Sequence, residues 1–434
     1  MIVPAWINPS FKLIEDGRTY DWASLSALAQ KLQPELPLGS RVAVTARSVA
    51  TLIAALIAAQ RVGVELVLLR GASPRPAGAG VQVEPEGRLV RLGPGVSSVA
   101  GHGFAVLIPT SGTTGEPKLV REDFIRLIGR IRGSHSPESR WLLTYEPTAF
   151  GGIQVILAAV TAGAVLVAAP GADSARLVRL AVEHQVTHLS ATPCVWRTLL
   201  AELGSAALPL QVVTLGGDIA DQPLLDRLAA RFPRVRVRQI YASSEAGVVF
   251  TVTDGKAGFP AEWLESGVDD VVLRIRHGAL EVRCPRTMLS YAGGENRPFT
   301  VDGWLITGDL VERVGERVLF TGRIETLVEV DGIKVSPAKV ETVLLGVPGV
   351  FDVLVAASGQ VAGLAATVVA DPGTDPETLR DVLHRHAATV LRPAERPQEI
   401  ACVDHIELAL SGKKVRTTAF QYAGASPLRP RQGA

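Results

Sequence analysis

Residues 147–172 carry no charged side chain, and this stretch restricts the chain to a few kinds of fold. Within it, GGIQVILAAVTAG predicts a buried helix that ends at Gly163, and AVLVAAPG predicts a short buried strand. An earlier stretch, SVATLIAALIAAQRVG followed by VELVLL, repeats the pattern. Units of this kind are typical of a sheet that is covered by helices on both faces. The length alone also fits a membrane span, but a buried helix followed by a buried strand explains the stretch better, so we expect no membrane partner.

Helical and strand patterns alternate through most of the chain. The apolar runs FAVLIP, QVVTLGG and VRVRQIYAS lead into small or polar loops, PTSGTTGEPK, LGGD and YASSE. In an open α/β sheet, ligands bind at the carboxyl ends of the strands. We therefore expect these three loops to share one crevice.

The pattern of predicted strands and helices changes twice further along the chain. From about Asp254 the strands become shorter and are separated by turns, and after Arg323 a compact α+β block begins. This block includes a helix over residues 376–390 and a strand around EIACVD. The predicted fold is α/β, with a large N-terminal domain of layered α/β sheets and a small β-barrel-like subdomain over residues 1–324. A smaller mobile α+β domain follows over residues 325–423, and residues 424–434 are predicted to be a disordered tail.

Composition excludes several classes of function. The chain has 434 residues, a net charge of +1 and 47% hydrophobic residues, which fits a large core and gives no electrostatic attraction to nucleic acid. Cys194, Cys284 and Cys402 are scattered, which predicts neither disulfides nor a zinc site and suits a reducing cytoplasm. The first residues lack the basic and apolar regions of a secretory signal.

The loop LIPTSGTTGEPK, residues 107–118, has the ingredients of a phosphate site but not the Walker A spacing. A Walker A loop needs a glycine directly before its lysine, whereas Glu116 and Pro117 separate Gly115 from Lys118. Its glycines still let main-chain N–H groups surround an anion. The hydroxyl donors are Thr110, Ser111, Thr113 and Thr114. Taken alone, the loop fits a phosphate cradle and a mobile turn equally well.

Five segments together resemble the adenylate-forming superfamily, which includes acyl-CoA synthetases, adenylation domains and luciferases. PTSGTTGEPK is similar to its phosphate loop, and YASSEAG (241–247) to its Tyr–Ser–Thr–Glu element, with Ser244 in place of the usual threonine. GWLITGD (303–309) resembles the element that ends in the ribose-binding aspartate. Residues 322–341 resemble the hinge region, and LSGKKVR (410–416) resembles the catalytic-lysine element.

The resemblance implies an enzyme that uses ATP and Mg²⁺ to convert a small carboxylic acid into an acyl-adenylate, and then passes the acyl group to a thiol. Both reactants are anions, so the site must neutralise charge and hold them in line. The implied ATP and AMP contacts are Thr110, Ser111, Gly112, Thr113, Thr114, Gly115, Lys118, Gly216, Gly217, Asp218, Tyr241, Asp309 and Arg323. The implied catalytic residues are Lys413, Ser244 and Glu245; Glu245 also binds the metal, and Glu325 is the hinge.

Each of these residues also has an ordinary structural interpretation. Glu245 could start a solvated helix, and Asp309 could form a Gly-Asp turn. Arg323 could be a strand-end ion pair, and Asp218 could cap a helix after a plain strand-to-helix turn. Lys413 and Lys414 could be two exposed lysines in a turn.

The resemblance also implies an acyl pocket formed by residues 147–152, 192–196 and 214–217. Its candidate residues are Phe150, Gly151, Thr192, Thr214 and Gly216. Phe150 stands where amino-acid activators of the superfamily have an aspartate and many acyl-CoA synthetases have a histidine, which favours a neutral or apolar acid. The alternative is that Phe150 belongs to the core. The segment before the phosphate loop is short for the superfamily, and Leu119 replaces its usual glycine.

The identity of the thiol acceptor stays open at this stage. Coenzyme A and the phosphopantetheine of an acyl carrier protein present the same reactive arm, and we expect coenzyme A because the chain stands alone with its C-terminal domain. A nucleotide-binding regulatory protein without turnover is the alternative from a different class. The presence of Glu245, Asp309 and Lys413 together argues against it.

Overall fold

The fold was analysed in a computed structural model, which describes residues 3–38, 40–45, 47–69, 81–83, 89–91, 104–110, 118–129, 131, 136–288, 290–291, 298–359, 363–409 and 411–416. The N-terminal part alternates between strands and helices, as the sequence predicts. Its strands are β1 (Lys12–Glu15), β2 (Arg18–Tyr20), β3 (Arg41–Thr45), β4 (Glu65–Leu69), β5 (Val81–Val83), β6 (Leu89–Arg91), β7 (Ala105–Pro109), β8 (Leu119–Asp123), β9 (Arg140–Leu143), β10 (Val165–Ala168), β11 (His188–Ala191), β12 (Val212–Gly216), β13 (Arg236–Ser243) and β14 (Gly247–Val252). Its helices are α1 (Trp22–Leu32), α2 (Val49–Val62), α3 (Phe124–Gly129), α4 (Phe150–Ala162), α5 (Ser174–Glu183), α6 (Pro193–Leu203) and α7 (Gln222–Arg231).

The two helix-then-strand units occur as predicted. Helix α4 ends at Gly163, whose φ of 72° is the left-handed conformation that glycine adopts without strain, and β10 follows. Helix α2 ends in the same way at Gly63 (φ 78°), and β4 follows with all five residues buried. Within the described residues, no helix combines the length and apolar character needed to cross a bilayer. Most residues of the charge-free stretch are buried in the core, in agreement with the prediction.

The N-terminal strands form two sheets. One has the order β14-β13-β12-β11-β9-β10-β1-β2 and is parallel from β13 to β1. The other, which β18 joins from the middle of the chain, has the order β18-β8-β7-β4-β3-β5-β6. The three loops predicted to share one crevice come from two sheets: β12 and β13 are neighbours, whereas β7 belongs to the other sheet. A side-chain contact, described below, brings the two sheets together.

The shorter strands predicted after about Asp254 correspond to a five-stranded antiparallel sheet with the order β15-β20-β19-β17-β16. The elements of this region are β15 (Phe259–Pro260), α8 (Trp263–Ser266), β16 (Val272–Arg276), β17 (Ala279–Arg283), β18 (Ser290–Tyr291), β19 (Leu305–Val314) and β20 (Arg317–Arg323). A single 3-10 turn, Ile324–Thr326, leads from β20 into the C-terminal module.

The C-terminal module is the predicted α+β block. It consists of β21 (Val328–Val330), β22 (Ile333–Val335), α9 (Pro337–Leu345), β23 (Val350–Ala357), β24 (Leu364–Ala370), α10 (Pro376–Val390) and β25 (Pro397–Cys402). Strands β23, β24 and β25 form one sheet, and a separate apolar core joins it to α9 and α10. The helix predicted over residues 376–390 is confirmed. The predicted tail, 424–434, lies outside the described residues, and the domain boundary at 324/325 stays a prediction.

Candidate active site

The phosphate-loop candidate connects two antiparallel strands. Strand β7 is buried along its whole length, because both faces of its sheet are covered. It pairs with β8. The main-chain N–H of Thr110 donates to the carbonyl of Lys118 over 2.8 Å, which closes the loop at its base. Lys118 is exposed beside this closure. Ser111, Gly112, Thr113, Thr114 and Gly115 lie outside the described residues, so their phosphate-binding role stays a prediction.

Tyr291 connects Lys118 to Glu245, although no sequence motif indicates this residue. The Lys118 ammonium lies 5.2 Å from the centre of the Tyr291 ring, a cation–π distance. The Tyr291 hydroxyl donates to Glu245 Oε1 over 3.2 Å. Strand β18 holds Tyr291 beside β8 in one sheet, whereas Glu245 follows β13 in the other. This contact joins the phosphate-loop side of the site to the metal-ligand candidate.

Ser244 and Glu245 lie in a tight turn between β13 and β14, and not at the start of a helix. The Ser243 hydroxyl accepts the N–H of Ala246 over 3.0 Å, which stabilises the turn. Both candidate side chains are half-buried. The solvated helix-start interpretation of Glu245 is therefore wrong, whereas its metal role stays a prediction.

Gly216 ends β12, directly beside β13. The Tyr145 hydroxyl donates to the Gly216 carbonyl over 3.4 Å, and Gly217 has a φ of 85° that favours glycine. The side chain that caps the following helix α7 belongs to Asp221, which accepts the N–H of Leu224. The interpretation of Asp218 as this cap is therefore wrong, because Asp218 lies earlier, in the exposed loop.

Asp309 is the centre of a half-buried polar cluster. It lies within β19, so the turn interpretation is wrong. The Tyr241 hydroxyl donates to Asp309 Oδ2 over 2.6 Å, and the Tyr241 ring packs 5.0 Å from Phe250 and 4.9 Å from Phe320. Burial raises the pKa of Asp309, against the opposing effect of the Arg323 charge. Burial also raises the pKa of Tyr241 well above its ordinary value, so this hydroxyl stays a donor.

Arg323 forms ion pairs with two other candidates. Its Nε lies 3.2 Å from Asp309 Oδ1 and 3.1 Å from Glu325 Oε1. Arg323 is the last residue of β20, opposite Asp309 in the register of β19 and β20. Arg323 thus forms the strand-end ion pair of the structural interpretation, and its partners Asp309 and Glu325 are themselves site candidates. Glu325 lies in the 3-10 turn that leaves the five-stranded sheet, where a hinge is expected.

The segment with Lys413 docks on the large domain. The Thr192 hydroxyl donates to the Gly412 carbonyl over 2.5 Å, and Thr192 also caps α6. The charge of Lys413 acts on Asp309 and opposes the rise of its pKa. Lys414 is buried, with 6% of its side chain exposed. The interpretation of two exposed lysines in a turn is therefore wrong for Lys414, and Lys413 is half-buried.

Two of the acyl-pocket candidates, Gly151 and Thr214, contact aromatic side chains. The Tyr145 ring covers Gly151, where an added Cβ would lie 3.2 Å from a ring carbon, and burial raises the pKa of Tyr145 to about 12. The Trp196 indole N–H donates to the carbonyl of Thr214 over 2.9 Å. Phe150 begins α4 and packs in part against the large core, which fits the core interpretation as well as a pocket wall.

Sequence reasoning missed Tyr291 and Tyr145. Tyr145 lies only two positions before the predicted pocket segment 147–152 and two positions after the end of β9, so its position near a strand end was a usable signal. No comparable signal marks Tyr291, because its partners come from other parts of the chain. In the part of the chain that the structure describes, no group of three or more His, Cys, Asp or Glu side chains forms a metal site.

Two family models match the chain in the order of its domains. Residues 83–291 match the model described as AMP-binding enzyme, and residues 339–413 match the AMP-binding enzyme C-terminal domain. The fatty acid–[acyl-carrier-protein] ligase MmaC of Mycobacterium marinum is 28% identical over 362 residues, which are 72% of this chain and 67% of MmaC. The 2-succinylbenzoate–CoA ligase of Bacillus subtilis is 29% identical over 268 residues, which are 57% of this chain and 54% of that enzyme.

Solved structures have the same fold. The o-succinylbenzoate CoA synthetase (MenE) of Bacillus subtilis, in complex with the acyl-adenylate OSB-AMP, superposes with a TM-score of 0.70 at 20% identity and covers 93% of this chain and 94% of that one. The anthranilate CoA ligase AuaEII, in complex with anthranoyl-AMP, gives a TM-score of 0.75 at 16% identity and covers 95% of this chain and 93% of that one. The family models and this shared fold agree with the ordered motifs: the chain belongs to the adenylate-forming superfamily of AMP-binding enzymes.

Proposed function

We propose that this chain is an ATP-dependent ligase that converts a carboxylic acid into an acyl-adenylate and transfers the acyl group to a thiol. One observation carries the proposal: Tyr241, Asp309 and Arg323 form one polar cluster, and a cation from the C-terminal module acts on its carboxyl group. Tyr241 and Arg323 bind Asp309 directly, and the charge of Lys413 acts on the same carboxyl group. A nucleotide site with a cation from the C-terminal module is what adenylation of an anion requires.

The first half-reaction makes one bond and breaks one bond. A carboxylate oxygen of the acid attacks the α-phosphorus of ATP, and the bond between that phosphorus and the bridging oxygen breaks, so that pyrophosphate leaves. The ammonium group of Lys413 stabilises the negative charge that builds between the two anions. The hydroxyl of Ser244 donates to the α-phosphate, and the phosphate loop with Lys118 holds the leaving group.

Asp309 and Arg323 hold the nucleotide for this step. An ionised Asp309 can accept hydrogen bonds from both ribose hydroxyls, and the Arg323 guanidinium offers a rigid set of donors to phosphate or ribose oxygens. Tyr241 fixes the Asp309 carboxylate through its 2.6 Å hydrogen bond. The cluster therefore positions the α-phosphorus before the acid attacks.

Glu245 suits a magnesium ion that is held mainly by the nucleotide. Mg²⁺ keeps several waters and usually takes one or two carboxylates together with substrate phosphates. Glu245 offers one half-buried carboxylate, which Tyr291 orients over 3.2 Å. The ion, when bound, would neutralise phosphate charge. Glu245 would be its protein ligand.

The acid is proposed to be neutral or apolar apart from its carboxylate. Residues 147–152, 192–196 and 214–217 contain no charged side chain, so they offer no partner for an α-ammonium group. Tyr145 adds an aromatic surface beside Gly151. Such walls bind apolar groups by excluding water.

We propose coenzyme A as the acceptor in the second half-reaction, in which the thiol attacks the acyl carbonyl and AMP leaves. A carrier-protein phosphopantetheine is the second candidate, because MmaC, a ligase for acyl carrier protein, is among the similar proteins. Both acceptors end in the same thiol arm, so the chemistry of this step is common to them.

The test is pyrophosphate release across a panel of carboxylic acids, with coenzyme A, a phosphopantetheinylated carrier protein or neither. The proposal expects acid-dependent release, and an acyl thioester with one of the two acceptors. Lys413→Ala should abolish acyl-adenylate formation while AMP binding stays within about twofold, because the lysine acts on the transition state. No release with any acid would refute the proposal and favour a nucleotide-binding regulatory protein.

A further inference from the structure

A chain of four buried charged side chains crosses the contact between the large domain and the C-terminal module. Arg197 of α6 donates to Asp221 over 2.5 Å, and its Nε lies 3.6 Å from Asp352 Oδ1 in β23. The same Asp352 oxygen lies 2.7 Å from the Lys414 ammonium. The side chains are 3% (Arg197), 4% (Asp221), 10% (Asp352) and 6% (Lys414) exposed. Asp352 thus connects one cation from each domain.

Stability alone does not account for this arrangement. Burying charges costs several kcal/mol for each ion, and well-packed apolar residues of similar volume often give equal or greater stability. Removing a single partner is different, because it leaves an uncompensated buried charge. A buried ionic chain at a contact between domains therefore fixes geometry more than it adds stability.

The geometry that it fixes is that of the segment around Lys413. Lys414 donates to the carbonyl of Val353 over 2.5 Å as well as pairing with Asp352. Arg416 forms two hydrogen bonds with Glu341, of 2.6 and 3.0 Å. Lys413 is the residue next to Lys414, so a fixed Lys414 limits the directions in which Lys413 can point.

Contacts with the large domain also hold the start of β23. Arg197 Nε donates to the carbonyl of Phe351 over 3.1 Å. Arg227 of α7 donates to the carbonyl of Val350 over 3.1 Å and pairs with Asp371 over 2.7 Å. Two arginines of the large domain therefore hold the strand that contains Asp352. Separation of the domains would break these contacts and leave Asp352 with Lys414 alone.

We propose that Asp352 is a positioning residue for acyl-adenylate formation, which couples domain docking through Arg197 to the orientation of Lys413 through Lys414. The inference rests on the proposed function, since it assigns Asp352 to the first half-reaction only. Asp352 touches neither reactant, and its effect passes through Lys414. Because the proposed function assigns Lys413 to the first half-reaction alone, acyl transfer to the thiol should not depend on Asp352.

The test measures the two half-reactions separately in the full-length chain. Asp352→Asn should slow acid-dependent pyrophosphate release by about tenfold or more. Transfer to coenzyme A from a chemically prepared acyl-adenylate, of an acid that the wild type accepts, should change by no more than about twofold, as should AMP affinity. Asp371→Asn is the matched control. It breaks an ion pair at the same domain contact without a link to Lys413, and should slow pyrophosphate release by less than about threefold.

Lys414→Met tests the connection itself and replaces the buried cation with an apolar side chain of similar length. It should slow pyrophosphate release as Asp352→Asn does, and the double variant should be no slower than either single variant, because both changes break one link. An unimpaired Lys414→Met enzyme, or equal loss of both half-reactions in Asp352→Asn, overturns the inference while the proposed function stands. A wild type that releases no pyrophosphate with any acid refutes the proposed function as well.

Discussion

The contact between Tyr291 and Glu245 predicts that one hydroxyl group tunes the magnesium dependence of the reaction. Tyr291→Phe removes the donor to Glu245 Oε1 and keeps the ring beneath Lys118. A hydrogen bond to a charged group contributes about 1.5–3 kcal/mol. The 3.2 Å distance is longer than the usual range of about 2.5–3.0 Å for O–H···O bonds, so we expect about 1.4 kcal/mol. That is about a tenfold loss of kcat/KM for Mg-ATP.

The assay is the initial rate of pyrophosphate release as a function of magnesium concentration, with one accepted acid in excess. Tyr291→Leu is the matched variant, because it also removes the ring beneath Lys118 and should cost about a further two- to fivefold. Tyr291 is 7% exposed and packs on Val120 and Met288, so the unfolding temperature of each variant must be measured beside the rate. A folded Tyr291→Phe enzyme with unchanged magnesium dependence would refute the reasoning.

Three further predictions follow from single groups. Because burial raises the pKa of Asp309 above 3.8 and only the ionised form accepts both ribose hydroxyls, AMP affinity should fall as the pH drops through the raised pKa. Arg323→Gln should move this step to higher pH, and a step that stays in place would contradict the ion pair. Gly412→Ala, at a φ of 71° and with its Cβ 2.9 Å from a side chain of α6, should slow pyrophosphate release about tenfold without changing AMP affinity. Gly152→Ala puts a Cβ 2.0 Å from a main-chain oxygen and should lower the free energy of unfolding by about 3 kcal/mol or more in urea titrations. Gly129→Ala, which meets nothing within 4 Å, should change it by less than about 0.5 kcal/mol.

The sequence predicted helices and strands well where the hydrophobic pattern and the residue at the end of the element indicate the same boundary. Helices α2 and α4 are apolar on most faces and end at glycines with positive φ. The residues of each segment therefore predict both the helix and the position of its end. The cap of α7 could also have been read correctly. Asp221 stands two positions before a proline, a combination typical of a helix start, whereas Asp218 lacks it.

Long-range partnerships were not predictable from these signals. The alternation of elements does not say which sheet a strand joins, and β7 joins a different sheet from β12 and β13. The burial of Lys414 depends on Asp352, which lies in another strand, and nothing in the sequence near Lys414 marks it. Tyr291 is similar, because its partners Lys118 and Glu245 come from separate sheets.

The candidate site was predictable only through resemblance. Isolated aspartates and glutamates have several ordinary roles, and Asp309 and Glu245 gain meaning from the order of motifs around them. The structure adds the contacts between them, above all the cluster of Tyr241, Asp309 and Arg323.

The most direct measurement of the central claim is acid-dependent exchange of labelled pyrophosphate into ATP, for the wild type and for Lys413→Ala. Exchange reports reversible acyl-adenylate formation and needs no thiol acceptor. The account predicts exchange with at least one neutral or apolar acid, lost in Lys413→Ala although that variant still binds AMP. Exchange that is equal in both proteins, or absent from the wild type with every acid, would contradict it.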